Sequence, residues 1–266
     1  MYKVIFLGDR LIAANALKLL ASEQFSSEFE ITVLVSSEGF IKKSNKHLGV
    51  YPILTISNEA RNTELIEEAI VNHGVNLLIS VQHNWILSKQ ILSKVNLAFN
   101  LHNAKLPDYK GYNSISHAIH NRDENFYSTL HWMAEKVDMG DIAYEATTQI
   151  DKDEDAYSLY LKTVIKSNLI FEKLLQDLKN GITPPKRPIT EKGVFYDRNR
   201  LSSLKDLSQV TDDEEFDFRV RSVFFPPHEP AYLIKNNNKI HLIPEKWKDS
   251  CWQKIEAGYT PSWTKI

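Results

Sequence analysis

The first hundred residues alternate between short β-rich runs and stretches whose apolar side chains recur at helical intervals. Residues 3–8 (KVIFLG) read as a strand that ends in glycine, and residues 11–22 as a helix. Residues 30–36 and 51–56 predict two further strands, and 58–72 a helix with Asn58 as its cap. Residues 76–81 form a continuous apolar run of buried-strand length, 87–95 have helical spacing, and 98–102 (AFNLH) read as another strand. Strands alternating with helices predict βαβ units, and so an α/β, Rossmann-like protein with a mostly parallel sheet.

Further along the pattern changes. Residues 128–135 and 142–150 read as strands on either side of a glycine-containing turn. Residues 155–180 form a long amphipathic helix closed by Gly181. The segment GITPPKRP then breaks the pattern, which places a boundary between a domain of residues 1–182 and a smaller one of 183–266. In the smaller part, 214–223 read as a helix. Residues 231–234 and 239–243 flank NNN as a hairpin, giving a small α+β appendage.

Composition narrows the function. Apolar residues make up 42% and charged residues 25%, as in an ordinary folded domain. The net charge of -2 offers no basic excess for a nucleic acid. The single Cys251 excludes an internal disulfide and a zinc-finger pattern, and with no base argued beside it, it is a poor thiol nucleophile. No apolar run has the length of a membrane span. MYKVIFLGDR turns polar too soon for a secretory leader, so the expectation is a cytoplasmic protein.

Candidate chemistry sits in a few places. FLGDR has one glycine, Gly8, where a dinucleotide fingerprint needs three, so Gly8 reads as tight strand-to-helix packing. Arg10 beside it is either a surface cation or an anion contact at a helix N-terminus. Asn100 and His102 lie two apart at the end of a strand and share a face, where open α/β sheets bind ligands. Asp138 and Asp141 flank Met139-Gly140 further on. A histidine that moves protons commonly uses a carboxylate to set its tautomer, and an amide can donate to a developing oxyanion, so the set suits acyl transfer. Taken alone, it also fits a core histidine and a turn-capping asparagine. His117 and His120 are three apart, and His131 could join them, but no Cys or carboxylate accompanies them and no metal is expected.

The ordered set SVQHNWIL, FNLHNAKLPDYKGYNS and VDMGDI resembles the N10-formyltetrahydrofolate-dependent formyltransferases. Within them, HNAKLPDYKGYNS, FFPPHEPAY and the short C-terminal part resemble the sugar N-formyltransferases that act on dTDP-linked amino-dideoxy sugars for O-antigens and related glycans. The resemblance implies a catalytic triad of Asn100, His102 and Asp138. It implies a folate donor whose pterin is held at Gln82, Trp85, Ile86 and Leu87, bordered by Gly140 and Asp141. Trp85, Ile86 and Leu87 read equally as core residues. For the sugar nucleotide the candidates are Arg10, Tyr109, Lys110, Tyr112 and Asn113, with Phe225 or Tyr232 stacking on the base; a solvated Lys110 and a core role for the two rings are the alternatives. A homodimer through the C-terminal hairpin is expected. Methionyl-tRNA formyltransferase, formyltetrahydrofolate deformylase and a non-catalytic binder are the competing functions.

Overall fold

The computed structural model describes residues 1–44, 54–57, 63–83 and 85–248. The cap expected at Asn58, the first part of the strand expected at 51–56, and Cys251 lie outside the described residues. The chain packs as two compact units interleaved in sequence. One holds Met1–Lys110, Tyr127–Thr147 and Val164–Gly193; the other holds Gly111–Phe126, Thr148–Thr163 and the chain from Val194 onward.

In chain order the elements are β1 (Tyr2–Gly8), α1 (Arg10–Leu20), β2 (Phe29–Ser36), α2 (Glu38–Ser44), β3 (Leu54–Ser57), α3 (Thr63–His73), β4 (Leu77–Val81), α4 (Lys89–Leu92) and β5 (Leu97–His102). There follow β6 (Lys110–Gly111), α5 (Ser114–His120), β7 (Asn125–Trp132), β8 (Ile142–Gln149), α6 (Ala156–Lys179), β9 (Phe195–Tyr196), α7 (Asp213–Val223), β10 (Ala231–Lys235) and β11 (Asn238–Leu242).

The first unit is built on a sheet of order β3-β2-β1-β4-β5-β7-β8. From β3 to β5 every pairing is parallel, and β7 joins β5 antiparallel. This is the mostly parallel, Rossmann-like sheet that the strand–helix alternation predicts. β4 is buried along its whole length and β1 over its last five residues, as expected for strands covered on both faces. On α1, Ile12, Ala13, Ala16, Leu17 and Leu20 form the buried stripe.

The strand order reverses between β1 and β4, and there the chain packs closely. A Cβ on Gly8 would lie 2.7 Å from Phe6 Cε1 and 2.8 Å from Ala13 Cβ, so strand and helix meet at a distance that only glycine permits. Asp9 then ties the end of β1 to the end of β2: its Oδ1 accepts from Ser36 Oγ at 2.9 Å and Ser37 Oγ at 2.7 Å.

Two predicted elements shift. The helix expected at 87–95 shrinks to the single turn of α4, capped by Ser88, whose Oγ accepts from Ile91 N at 3.3 Å. Its helical spacing arises because Leu87 and Ile91 enter the core cluster around Ile5, Leu7, Val33 and Leu78, with Leu92 and Val95 packed against it. The strand expected at 128–135 begins earlier, at Asn125, and ends at Trp132.

In the second unit α5 packs against α7. The hairpin β10–β11 turns on Asn236 and Asn237, both in the left-handed region, which suits the twist of a two-residue connection. Asp155 caps α6 by accepting from Tyr157 N and Ser158 N at 3.0 and 2.9 Å. Its other oxygen accepts from Trp247 Nε1 at 2.7 Å and pairs with Lys246, so this buried carboxylate is fully satisfied.

Each unit contains a histidine held neutral, His83 half-buried in the first and His117 buried in the second. Burial pushes His83 down to about 4, with Asp9 opposing the shift. His117, stacked on Tyr196, is also pushed down to about 4, by burial first and then by Arg200 and His120.

Gly8→Ala is expected to destabilise the protein by about 1–3 kcal/mol, the range for overpacking a close contact. A lower urea midpoint at unchanged slope would show it, and an unchanged midpoint would mean that the contact is slack. Acid should also unfold the protein early. Below pH 6.5 the unfolded histidines bind protons that His83 and His117 refuse until about pH 4. Stability present at pH 7 is therefore lost as pH falls through that window, by up to about 1.4 kcal/mol per pH unit for each ring. His83→Gln should shallow the dependence of the urea midpoint on pH between 7 and 5; an unchanged slope would rule out its contribution.

Candidate active site

Along β5 the side chains alternate. Phe99 and Leu101 are buried in the sheet, while Asn100 and His102 share the opposite face at the carboxyl end of the strand. The antiparallel partner β7 sets His131 directly opposite Asn100, and Thr129 opposite His102. Residues directly opposite on one face are close neighbours, so the register places an imidazole beside the Asn100 amide.

The turn from β7 to β8 supplies the carboxylate. Trp132 N donates to Asp141 O at 2.8 Å and closes the turn at its base. Gly140 lies against the Trp132 carbonyl so closely that a Cβ there would stand 1.7 Å from that oxygen. Asp138 has a positive φ of 52° and is 8% exposed. The left-handed conformation is one that aspartate tolerates better than most residues. Its Oδ1 lies 3.5 Å from Asn100 Nδ2, 3.8 Å from His102 Nδ1 and 3.6 Å from His131 Nε2. The three residues predicted from the sequence thus converge, and His131 joins them.

Hydrogen bonding fixes the rings. His102 Nε2 donates to the carbonyl of Tyr109 at 2.8 Å. The other nitrogen, Nδ1, therefore faces Asp138. His131 Nδ1 donates to Trp132 O at 2.8 Å, which leaves Nε2 of the neutral ring as an acceptor. Asn100 Nδ2 stands 3.1 Å from that Nε2 and faces the Asp138 carboxylate, so both neighbours require the amide's NH₂ on this side.

The remaining predicted residues divide by burial. Gln82 has φ 51° and begins the loop after β4, in which His83 Nδ1 accepts from Trp85 N at 3.2 Å. Trp85 packs partly against the core, Leu87 is buried within it, and Ile86 is 67% exposed. Tyr109 is buried and meets His102 through its backbone. The Lys110 ammonium is buried, donates to the Lys192 carbonyl and lies 3.4 Å from Met139 Sδ, so it braces the turn that carries Asp138. Arg10 and Asn113 are exposed, with φ 71° and 58°. In the second unit Tyr112 lies under the Arg198 guanidinium, 4.5 Å from ring centre to Cζ. Phe225 packs edge-on against Tyr157 and Tyr160. The Tyr232 ring is covered by Lys239 Nζ at 3.9 Å.

Of the seven residues other than glycine with positive φ among the described residues, four are predicted site residues: Arg10, Gln82, Asn113 and Asp138. Backbone held in this region tends to gather at functional loops. The sequence reading named His131 only as a possible metal ligand. Among the described residues no group of three His, Cys, Asp or Glu side chains could hold a metal, and His131 faces Asn100 instead. Its signal was the alternation of TLHW on a strand, which becomes informative once the pairing with β5 is known.

Comparison with known proteins bears on this arrangement. A GDP-perosamine N-formyltransferase of Brucella melitensis is 25% identical over 247 residues, covering 88% of this chain and 94% of its own length. A methionyl-tRNA formyltransferase of Limosilactobacillus fermentum is 25% identical over 235 residues, covering 84% of this chain and 72% of its own. The crystal structure of an N-formyltransferase from Helicobacter canadensis, in complex with folinic acid and dTDP-3-aminofucose, has the same fold. Its TM-score is 0.69 at 18% identity, with 90% of this chain and 86% of that one covered. The formyl transferase family model matches residues 9–172, a span that takes in β5, the Asp138 turn and most of α6. With more than half of its length matched by that model, the chain belongs to the formyl transferase family.

Proposed function

We propose that this protein transfers a formyl group from N10-formyltetrahydrofolate to the primary amine of a nucleotide-linked amino-dideoxy sugar, with dTDP as the carrier, in the synthesis of O-antigen or a related surface glycan. The observation that carries the reading is the convergence of Asn100, His102 and Asp138 at the carboxyl end of β5. The likeness to a named GDP-perosamine N-formyltransferase supports a sugar acceptor. So does the net charge of -2, because binding of tRNA needs phosphates neutralised by basic residues.

The donor supplies the formyl carbon. The amine nitrogen bonds to that carbon, the bond from carbon to N10 breaks, and the proton lost by the amine ends on N10. His102 accepts the amine proton, directly or through water, and its cation would have Tyr109 O and Asp138 as acceptors on its two sides. Asn100 Nδ2, only loosely held by Asp138 at 3.5 Å, donates to the formyl oxygen as negative charge develops there. The loop from Gln82 to Leu87, with the exposed Ile86 and a backbone braced by His83, fits a flat, partly apolar pterin. Gly140 and Asp141 border that pocket.

Arg10, Tyr109, Tyr112, Asn113, Phe225 and Tyr232 are the proposed sugar-nucleotide contacts, while Lys110, whose ammonium is held within the protein, is withdrawn from that set; residues 1–182 are the proposed catalytic domain. No nucleic acid and no metal takes part. The enzyme is proposed to work in the cytoplasm; among the described residues no helix is long and apolar enough to cross a membrane. It is proposed to dimerise through the hairpin, on which Ile234 and Ile240 are exposed.

Incubation with N10-formyltetrahydrofolate should release tetrahydrofolate only when an amino-sugar nucleotide is added. Release in its absence would mean a deformylase, and release with methionyl-tRNA alone would move the acceptor. A preference for GDP-linked over dTDP-linked amino sugars would replace the carrier and keep the reaction. His102→Asn and Asp138→Ala should lower kcat by about 10²–10⁴ while folate affinity changes little; near-normal turnover in both would remove the mechanism. Light scattering should give twice the chain mass of 30.7 kDa, and Ile234→Lys with Ile240→Lys should give the monomer. A wild-type protein that scatters as a monomer at micromolar concentration would refute the dimer.

A further inference from the structure

His131 is 2% exposed, stands beyond the three residues that the proposed reaction employs, and makes contacts that a packing side chain would not need. Its Nδ1 donates to the carbonyl of its own neighbour, Trp132, at 2.8 Å. That bond selects one tautomer and turns a lone pair, on Nε2, toward Asn100 Nδ2 at 3.1 Å. Nε2 is also 3.6 Å from Asp138 Oδ1. The Asn100 amide therefore meets two acceptors, the imidazole at hydrogen-bond distance and the carboxylate at the outer limit.

The unequal distances have a consequence. An amide NH₂ carries two hydrogens. The one on His131 is held firmly, and this sets the rotation of the amide plane about the Cβ–Cγ bond. The other is weakly engaged by Asp138 and can pass to an incoming oxygen without loss of a strong bond. With an apolar side chain at 131, the amide would keep only the long contact to Asp138 and its plane could rotate about the Cβ–Cγ bond, or turn its NH₂ further onto the carboxylate. Either way the hydrogen offered to a reacting carbonyl would lose its fixed direction. Misplacement of such a group by about 1 Å costs on the order of 100-fold in rate.

We propose that His131 is a positioning residue that fixes the Asn100 amide for formyl transfer, with the Trp132 carbonyl setting its tautomer. The proposal rests on the formyl-transfer reading of this site. His131 touches no reacting atom; it acts through Asn100. The same Trp132 carbonyl is the atom that a Cβ on residue 140 would strike, so closure of the Asp138 turn and orientation of His131 share one group.

The test is a double-mutant cycle on the full chain, with kcat, KM, folate affinity by fluorescence and thermal midpoint measured for each variant. His131→Leu should lower kcat about 10- to 100-fold, with KM and folate affinity within about threefold of wild type. In the Asn100→Ala background the same change should have no further effect on kcat, since the group it orients is gone. His131→Gln, which carries an acceptor near the Nε2 position, should recover most of the loss, and the shorter His131→Asn should not. An unchanged kcat in His131→Leu, or an equal drop with and without Asn100, would overturn the proposal. If the leucine variant fails to fold, the Gln and Asn variants decide: equal loss in both overturns it. Full activity in Asn100→Ala would be a different failure, that of the formyl-transfer assignment of Asn100 itself.

Discussion

The register of β5 against β7 governs the geometry of the candidate site. The pairing of Phe99 with Trp132 and of Asn100 with His131 brings the polar face of each strand to the same side of the sheet. Side chains alternate with a period of two, so a slip of one residue would turn His131 into the sheet core and Trp132 toward the carboxylate. The slip is opposed by the apolar side chains themselves. Phe99 and Leu130 are 1% exposed, and moving such groups into water costs about 1.5–3 kcal/mol each. Packing on one face of the sheet thereby holds the geometry of the other.

A second constraint is that the site depends on keeping a carboxylate out of water. A buried charge needs donors, and Asp138 Oδ1 faces the Asn100 amide, with the His102 and His131 rings beside it. The turn bearing it is closed at the base by Trp132 and Asp141 and braced by Lys110 on Met139. Gly140 completes the arrangement by conceding space to a carbonyl. These contacts touch the backbone and neighbours of the turn, yet they decide where the charge stands; Trp132, Gly140 and Asp141 are close to it in the chain, and Lys110 reaches it from β6.

The reach of the sequence follows the same physics. The parallel strands were legible because strands covered on both faces are continuous apolar runs, as in LLISV. Asn100, His102 and Asp138 were legible as candidates because their order and spacing follow a pattern shared with the formyltransferases. What was hidden depends on pairing between strands that the local sequence does not encode. His131 belongs to the site only through the antiparallel partner of β5, and α4 shrank because Leu87 serves the core rather than a helix. Lys110 looked like a free cation on a loop, but its ammonium is spent on the Lys192 carbonyl and on Met139. The proposed sugar-nucleotide contacts are the least legible, since loops recognise ligands as much with backbone as with side chains.

That division explains how one family serves several acceptors. The chain is equally distant, at 25% identity, from a relative named for a sugar nucleotide and one named for a tRNA. Identity alone therefore carries no information about the acceptor, and the difference must reside in what surrounds the conserved chemistry of formyl transfer. In this chain Asp138 and His131 are buried and Asn100 and His102 half-buried, each tied to its neighbours, while Arg10 and Asn113 are exposed, in left-handed backbone at the starts of α1 and α5. A buried, over-determined centre tolerates few changes, because each residue has several partners to lose. An exposed rim tolerates many, because a substitution there alters one contact to a ligand and leaves the core intact. Acceptor specificity can then change by surface substitution while the register of β5 and β7, and the reaction it supports, stays as it is.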